Sequence, residues 1–443
     1  MQPSIKPSKV RYLILAALAG GAILSYLLRV CISPAGTTIQ KDLAISDITM
    51  GDIYSAFFLG YFWCQLPAGW IGNRLGTRFG LGLMGILWAV ATIVAANSPS
   101  STTLYYSRVA LGVAQAGLFP VTIMAIRDWF PPERHGMASS IITSCMSSGS
   151  VLASLLTTRL LTLFGWRQTF LIYGMVAIVW AIFFMAWFRN KPGLHRLVNR
   201  AELDLIQSKP VEPLNVEVDD QTKISSRLST GAAIILMLKS RSMWALNAQT
   251  FFQSFGYAIL ITWFPTYLEK GRGMSLTNAG DLTIMPLVGI VLGSLLGGFL
   301  IDLILKRTGN KWLSRCLLPG TGLTLCALAA MASSWISQPF LAVGVIALGM
   351  FFTGIANPGK WACTIDLTAG HSATGLALMN MAGNIGAWLC PQIVGRMFEY
   401  LEKSHGNWNY FLWLIVGIQL SAACSCLILN PNKPAIHPAK SSS

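Results

Sequence analysis

The sequence predicts an all-α membrane protein, with twelve transmembrane helices in two six-helix bundles. Three observations carry that prediction. Apolar runs of about 20 residues, the length a bilayer core demands, recur twelve times. The chain is 53% hydrophobic and 11% charged, where a soluble domain holds about 25% charged residues. The positive charge is also unevenly distributed. Of 32 Lys and Arg, 22 fall in the amino tail, the even-to-odd loops and the carboxyl tail, seven on the opposite face, and three at membrane depth. Lys and Arg mark the cytoplasmic side. Both termini are therefore expected in the cytoplasm, in a multi-pass protein of the cell (inner) membrane.

The spans fall near 11–33, 50–71, 79–97, 103–126, 137–157 and 167–188 in the first half, and near 243–268, 279–301, 313–334, 339–365, 372–395 and 408–430 in the second. They must be helices, because lipid satisfies no open backbone group and the runs exceed the length of barrel strands. The first run is too long for a cleavable signal peptide and lacks a small-residue cleavage site. Residues 1–188 form one expected bundle and 243–430 the other. Between them, 189–242 holds nine Lys/Arg, six Asp/Glu and three prolines, and reads as a cytoplasmic linker. Within it, Asn199 reads as an N-cap with Glu202 as its capping-box acid, opening a short helix with Leu203 and Ile206 inward. The Pro-, Lys- and Ser-rich tail, 431–443, is expected to be disordered. The nine cysteines lie mostly in apolar spans without metal spacing and read as small core hydrophobes.

A weak internal repeat links the halves. Gly69-Trp-Ile-Gly72-Asn73-Arg74-Leu-Gly76-Thr-Arg78 follows the second span, and Gly298-Phe-Leu-Ile-Asp302, then Lys306 and Arg307, follows the eighth. Six plus six spans with repeated halves is a transporter pattern, with a site expected near midplane between the halves.

Arg29 and Arg108 are the most informative residues. Each sits inside an apolar run, where an arginine costs about 2.5–3.5 kcal/mol on insertion scales. All 17 acidic residues fall in loops or at span ends. Positive charge without a negative partner points to an anion, and the guanidinium fork suits a carboxylate or phosphate. The alternative is structural: bonding helix-end carbonyls, or snorkelling. Gln115, two turns after Arg108, shares its face and bonds hydroxyls without titrating. Lys360, the third cation at depth, follows Asn357-Pro358-Gly359. Either that Pro-Gly breaks the helix and opens a site, or the lysine reaches out to water. Asn380 and Asn384, one turn apart, would read a ligand or bond between helices. Tyr257 is a further candidate.

Several segments carry a resemblance. Gly69, Arg74, Gly76 and Arg78 match the loop signature of the major facilitator superfamily, with Asn73 where that signature has Asp. Ser55-Ala-Phe-Phe, Cys64-Gln65-Leu-Pro67-Ala-Gly69-Trp70, Trp129-Phe130-Pro131-Pro132-Glu133-Arg134, Trp263-Phe264-Pro265-Thr-Tyr267 and Asn380-Met-Ala-Gly383-Asn384-Ile-Gly386 with Pro391 resemble its anion:cation symporter family, permeases of sugar acids, phthalate and related organic anions. The resemblance implies secondary transport of a small organic anion by alternating access, with H+ or Na+ as coupling ion. It implies anion contacts at Arg29 and Arg108 and cavity positions at Tyr26 and Tyr61. It also implies a conformational latch in the Gly69–Arg78 loop and at Asp302, weakened in the first half by Asn73. Members carry carboxylates where this chain has Leu28 and Gln115, so an exchanger or facilitator without proton coupling, with organophosphates among its candidate substrates, stands as the alternative. A non-transporting anion sensor is a remote one.

Other classes find no support. The net charge of +15 follows topology, so no nucleic-acid partner is expected. No GxxxxGK[ST] motif is present to drive nucleotide-powered pumping. No catalytic cluster, metal-ligand spacing or cofactor motif is present. Nothing requires an oligomer, so the expected state is a functional monomer in a lipid bilayer.

Overall fold

The computed structural model describes residues 7–207, 229–368, 371–433 and 435. The chain divides into two compact units, Met1–Asn215 and Val216–Ser443.

In the first unit, α1 (Val10–Val30) leads through a short α2 (Gly36–Leu43) into α3 (Asp47–Ala96). Helix α3 is two spans. Gly76 breaks it at φ 72° and ψ 165°, a conformation that only glycine adopts without strain. The fourth span is also divided: α4 (Ser101–Gln115) stops at Gln115 and α5 (Leu118–Trp129) resumes after a turn. Helix α6 (His135–Trp187) holds two further spans joined at Gly165. Serine caps open α3 and α4, with the Ser46 and Ser100 hydroxyls accepting from the Thr49 and Thr103 backbone N–H groups.

After α6 the chain lies against the bundle. Pro192 and His195 are buried, with the imidazole edge-on to Trp129 and Trp187 at 5.7 and 5.2 Å. Burial, reinforced by the charge of Arg189, holds the His195 pKa below its ordinary value. The short helix expected after Asn199 is present as α7 (Arg200–Gln207), with the Asn199 side chain accepting from the Glu202 N–H at 3.0 Å. Ile206 is buried, as its place in the helix predicts.

The second unit runs α8 (Thr230–Lys239), α9 (Arg241–Thr262), α10 (Leu276–Thr308), α11 (Leu318–Ser333), α12 (Pro339–Leu367), α13 (Ser372–Lys403) and α14 (Asn409–Ile428). Ala233 and Met237 of α8 join a core with Leu246, Cys316, Cys363 and Met379. Of the two readings at Pro358-Gly359, the helix break is not found: α12 is continuous through both. One missing N–H is tolerable where neighbouring backbone clamps the helix. A Cβ on Gly354 would stand 2.4 Å from the Ile290 carbonyl oxygen, so α10 holds α12 at backbone contact.

The same pairings recur in each unit. The α3–α4 and α1–α6 contacts of the first correspond to the α10–α12 and α9–α13 contacts of the second. The repeat in sequence is therefore a repeat in packing. Among the described residues, eight segments are long and apolar enough to cross a membrane, and one of them, His135–Trp187, is a double span. The first part of α3, α9 and α13 are not among the eight. These more polar helices carry Tyr61, Tyr257, Asn380 and Asn384.

Candidate functional site

Three helices of the first unit converge on Arg29. It lies in the last turn of α1, half-buried, on the face that also carries Ser25 and Tyr26. Its guanidinium carbon sits 4.4 Å from the Tyr26 ring centre, 4.5 Å from that of Phe57 and 5.0 Å from that of Tyr61. Each such contact contributes about 0.5–2 kcal/mol, more when water is excluded. The Nε–H donates to Gln115 Oε1 at 3.2 Å, and Gln115, fully buried, donates its Nε2 to the Ser25 carbonyl at 2.8 Å. The amide thus hangs from the α1 backbone and fixes one edge of the guanidinium. Among the described residues no carboxylate forms a salt bridge with Arg29 or Arg108.

Arg108 is placed differently. It is 5% exposed, and it donates to the Leu28 carbonyl at 3.3 Å and the Arg29 carbonyl at 2.8 Å. It therefore caps the end of α1, satisfying carbonyls that the helix leaves open and complementing the dipole there. Its guanidinium carbon is 5.5 Å from the Phe57 ring centre.

One face of α4 does all of this. Arg108, Gly112 and Gln115 follow at helical spacing. A Cβ on Gly112 would stand 2.1 Å from the Phe57 carbonyl oxygen, so glycine alone permits this approach of α4 to α3. Sequence reasoning found Tyr26, Arg29, Tyr61, Arg108 and Gln115, and the structure brings all five together. It missed Phe57 and Ser25. Phe57 is one turn before Tyr61 on α3, and that spacing was the available signal.

In the second unit, Tyr257 on α9 and Lys360, Asn380 and Asn384 on α12 and α13 are half-buried. Asn357, one turn from Lys360, donates to Ser294 Oγ at 3.4 Å and links α12 to α10.

The candidate latch is partly described. The Asn73 side chain lies outside the described residues. Arg74 is exposed, and Asp302 is exposed near the end of α10. Arg78 holds the end of α6: its N–H donates to Asn190 Oδ1 at 2.8 Å and its Nε to the Met185 carbonyl at 2.6 Å. Sequence reasoning also missed Asp366, which pairs with Arg315 at 3.1 Å and Lys311 at 3.3 Å.

Two repeated helical units and a cation without a carboxylate partner among the described residues define a class, a multi-span membrane protein built as transporters are. The family follows from comparison: the Major Facilitator Superfamily profile matches residues 18–391 and 247–442, and the chain belongs to that superfamily. It is a transporter by family, not an enzyme. Among similar proteins, the probable sulfoacetate transporter SauU of Cupriavidus necator is 27% identical, over 96% of this chain and 94% of the relative. The probable galactarate/D-glucarate transporter GudP of Escherichia coli (strain K12) is 29% identical, over 96% and 94%. A D-galactonate transporter of Escherichia coli O6:H1 is 27% identical, over 96% of each chain. These names fall in the organic-anion class that the sequence resemblance implies. The fold matches the crystal structure of a bacterial homologue of the human lysosomal transporter Spinster, with a TM-score of 0.73 and 20% identity over 96% of this chain and 95% of that one.

Proposed function

We propose that this protein is a secondary transporter of a small organic anion, a sugar acid or related carboxylate, working by alternating access with Arg29 as the anion anchor. The observation that carries this is the setting of Arg29. It is a cation in the last turn of a span, faced by three rings, held at its Nε edge by a neutral amide, and in no salt bridge among the described residues. A carboxylate would meet the remaining edge, where the terminal nitrogens offer paired donors. Tyr26 and Tyr61 line the anion's approach and Gln115 orients its anchor. Arg108 acts through α1, by fixing the turn that presents Arg29. Asn380, Asn384, Lys360 and Tyr257 are the proposed readers of the substrate's other groups in the second unit. The Gly69–Arg78 segment of α3, with its break at Gly76, and Asp302 are the proposed conformational elements. The lysine and arginine distribution supports cytoplasmic termini and a cell-membrane setting, with a bundle at 1–188, a linker at 189–242, a bundle at 243–430 and a tail from 431.

Cation-coupled symport is the family's usual mode. One observation favours a second reading, exchange or facilitated flux: the group bonded to Arg29 is an amide that does not titrate, and Leu28 is fully buried without a charge. Uptake into vesicles of purified protein tests both. Arg29→Ala abolishes saturable anion uptake while folding persists; normal uptake by that variant would overturn the anchor. Concentrative uptake driven by a proton gradient alone would eliminate the second reading.

A further inference from the structure

We propose that Phe57 is a positioning residue for the anion anchor, one ring that seats the guanidinium of Arg29 while standing against that of Arg108. The inference rests on the reading of Arg29 as that anchor. The ring centre of Phe57 is 4.5 Å from the Arg29 guanidinium carbon and 5.5 Å from that of Arg108. The side chain is 1% exposed, so both contacts are made away from water. Two like charges in such a place repel more strongly than they would in water. An aromatic face, negative at its centre, offsets part of that repulsion for both cations at once. An aliphatic side chain of similar bulk fills the space but supplies no such face.

The ring is itself held. Tyr61 stacks with it at 5.8 Å and 26°, and Phe58 meets it edge-on at 5.4 Å. Its backbone is pinned at Gly112. A rigid seat matters because arginine has many rotamers, and an anion that must first order its anchor binds more weakly. The Gln115 bond fixes one edge of Arg29, and the ring bounds the guanidinium at 4.5 Å. Phe57 therefore governs affinity and leaves the rate of the transport cycle alone.

The test is concentration-dependent uptake of a transported sugar acid into vesicles, comparing Phe57→Leu, Phe57→Tyr and proteins with mono-, di- and trifluorinated phenylalanine at position 57. Fluorination keeps the shape and drains the face of negative charge. Phe57→Leu is expected to raise the half-saturating concentration about three- to tenfold, with the maximal rate within about twofold. Phe57→Tyr restores most of the affinity, and the half-saturating concentration climbs stepwise with fluorine number. A flat fluorine series overturns the proposal, because a packing role is blind to the ring's charge. So does a loss of maximal rate with affinity unchanged. If Arg29→Ala is inactive while the series is flat, only the Phe57 role falls. If Arg29→Ala transports normally, the anchor falls and the Phe57 role with it.

Discussion

Replacing Glu202 by alanine should destabilise the first unit by about 3 kcal/mol, the lower end of what breaking a buried ion pair costs. Glu202 is 0% exposed and reaches across to the start of α1. One carboxylate oxygen accepts the Val10 N–H at 3.0 Å, the other the Arg11 N–H at 3.1 Å, and the Ser8 hydroxyl bonds the same group. The bridge is reciprocal. The Ser8 N–H donates to Asn199 Oδ1 at 3.2 Å, and the Asn199 N–H donates to Ser8 Oγ at 3.3 Å. Two helix N-termini thus cap each other across 190 residues of chain, with the Arg11 guanidinium 3.7 Å from the shared carboxylate. Alanine would orphan two N–H groups, at about 1–3 kcal/mol for such a loss, and leave Arg11, 5% exposed, without its counter-charge. For a unit of this size, that corresponds to a fall of about 6–12 °C in unfolding temperature. Glu202→Gln keeps one acceptor oxygen and should fall less. The pH dependence has a definite sign. Burial pushes the Glu202 pKa up, but the Ser8 hydroxyl, the two backbone donors and Arg11 together hold it below its ordinary value. The stabilisation is therefore present above the ordinary glutamate range and lost as pH falls through the depressed folded-state value. Thermal unfolding in detergent, followed by tryptophan fluorescence between pH 7 and acid, reads both effects. An alanine variant that unfolds at the wild-type temperature, with the wild-type acid dependence, would refute the clasp.

Three further outcomes follow from the same contacts. Gly112→Ala places a methyl 2.1 Å from the Phe57 carbonyl oxygen and 2.8 Å from the Tyr61 nitrogen. It should cost about 1–3 kcal/mol of stability and weaken anion affinity, both checked by thermal unfolding with and without ligand. Gln115→Leu frees the Nε edge of Arg29 and removes the second donor to the Ser25 carbonyl; about tenfold weaker apparent affinity is expected, at about 1.4 kcal/mol, and uptake titrations measure it. Arg108→Ala leaves the Arg29 carbonyl without the guanidinium donor and the Leu28 carbonyl with only the weak Cys31 thiol, and should lower stability by about 1–3 kcal/mol, with affinity recovering partly in Arg108→Lys. An Arg108→Ala protein of wild-type stability would mean the cap contributes nothing.

The multi-span helical fold and the cluster of residues around Arg29 were legible in the sequence because each has a strong local signature, although the first part of α3, α9 and α13 fall short of the apolar length that marks the other spans. Apolar runs of bilayer length admit one backbone form, and a cation inside such a run has few physical excuses. Tyr26 and Gln115 could be placed beside the arginines by helical spacing alone. The clasp was half legible. Asn199 is the N-cap that its position predicts, but the sequence pattern has Glu202 folding back on the Asn199 N–H. Instead that N–H goes to Ser8 and the carboxylate crosses to Val10 and Arg11. Capping patterns record which groups need partners and are silent on partners nearly 200 residues away. Pro358-Gly359 misled for a similar reason: propensity alone breaks a helix there, but the α10 contact at Gly354 holds α12 continuous.

The two arginines look equivalent in sequence, and their surroundings separate them. Arg108 gives its two terminal nitrogens to the backbone that carries Arg29, while its Nε is buried without a partner. Arg29 gives its Nε–H to an amide. A carboxylate at position 115 would make a stronger, charge-assisted bond to the same edge. It would also neutralise the cation and compete with an incoming anion until protonated. The amide orients Arg29 and leaves the charge whole. Gln115→Glu is therefore the informative exchange: at neutral pH it should weaken anion affinity, and as pH falls and the acid protonates, affinity should recover. Uptake titrations across a pH series decide the matter. A Gln115→Glu protein with wild-type affinity at every pH would show that position 115 has no electrostatic hold on the anion.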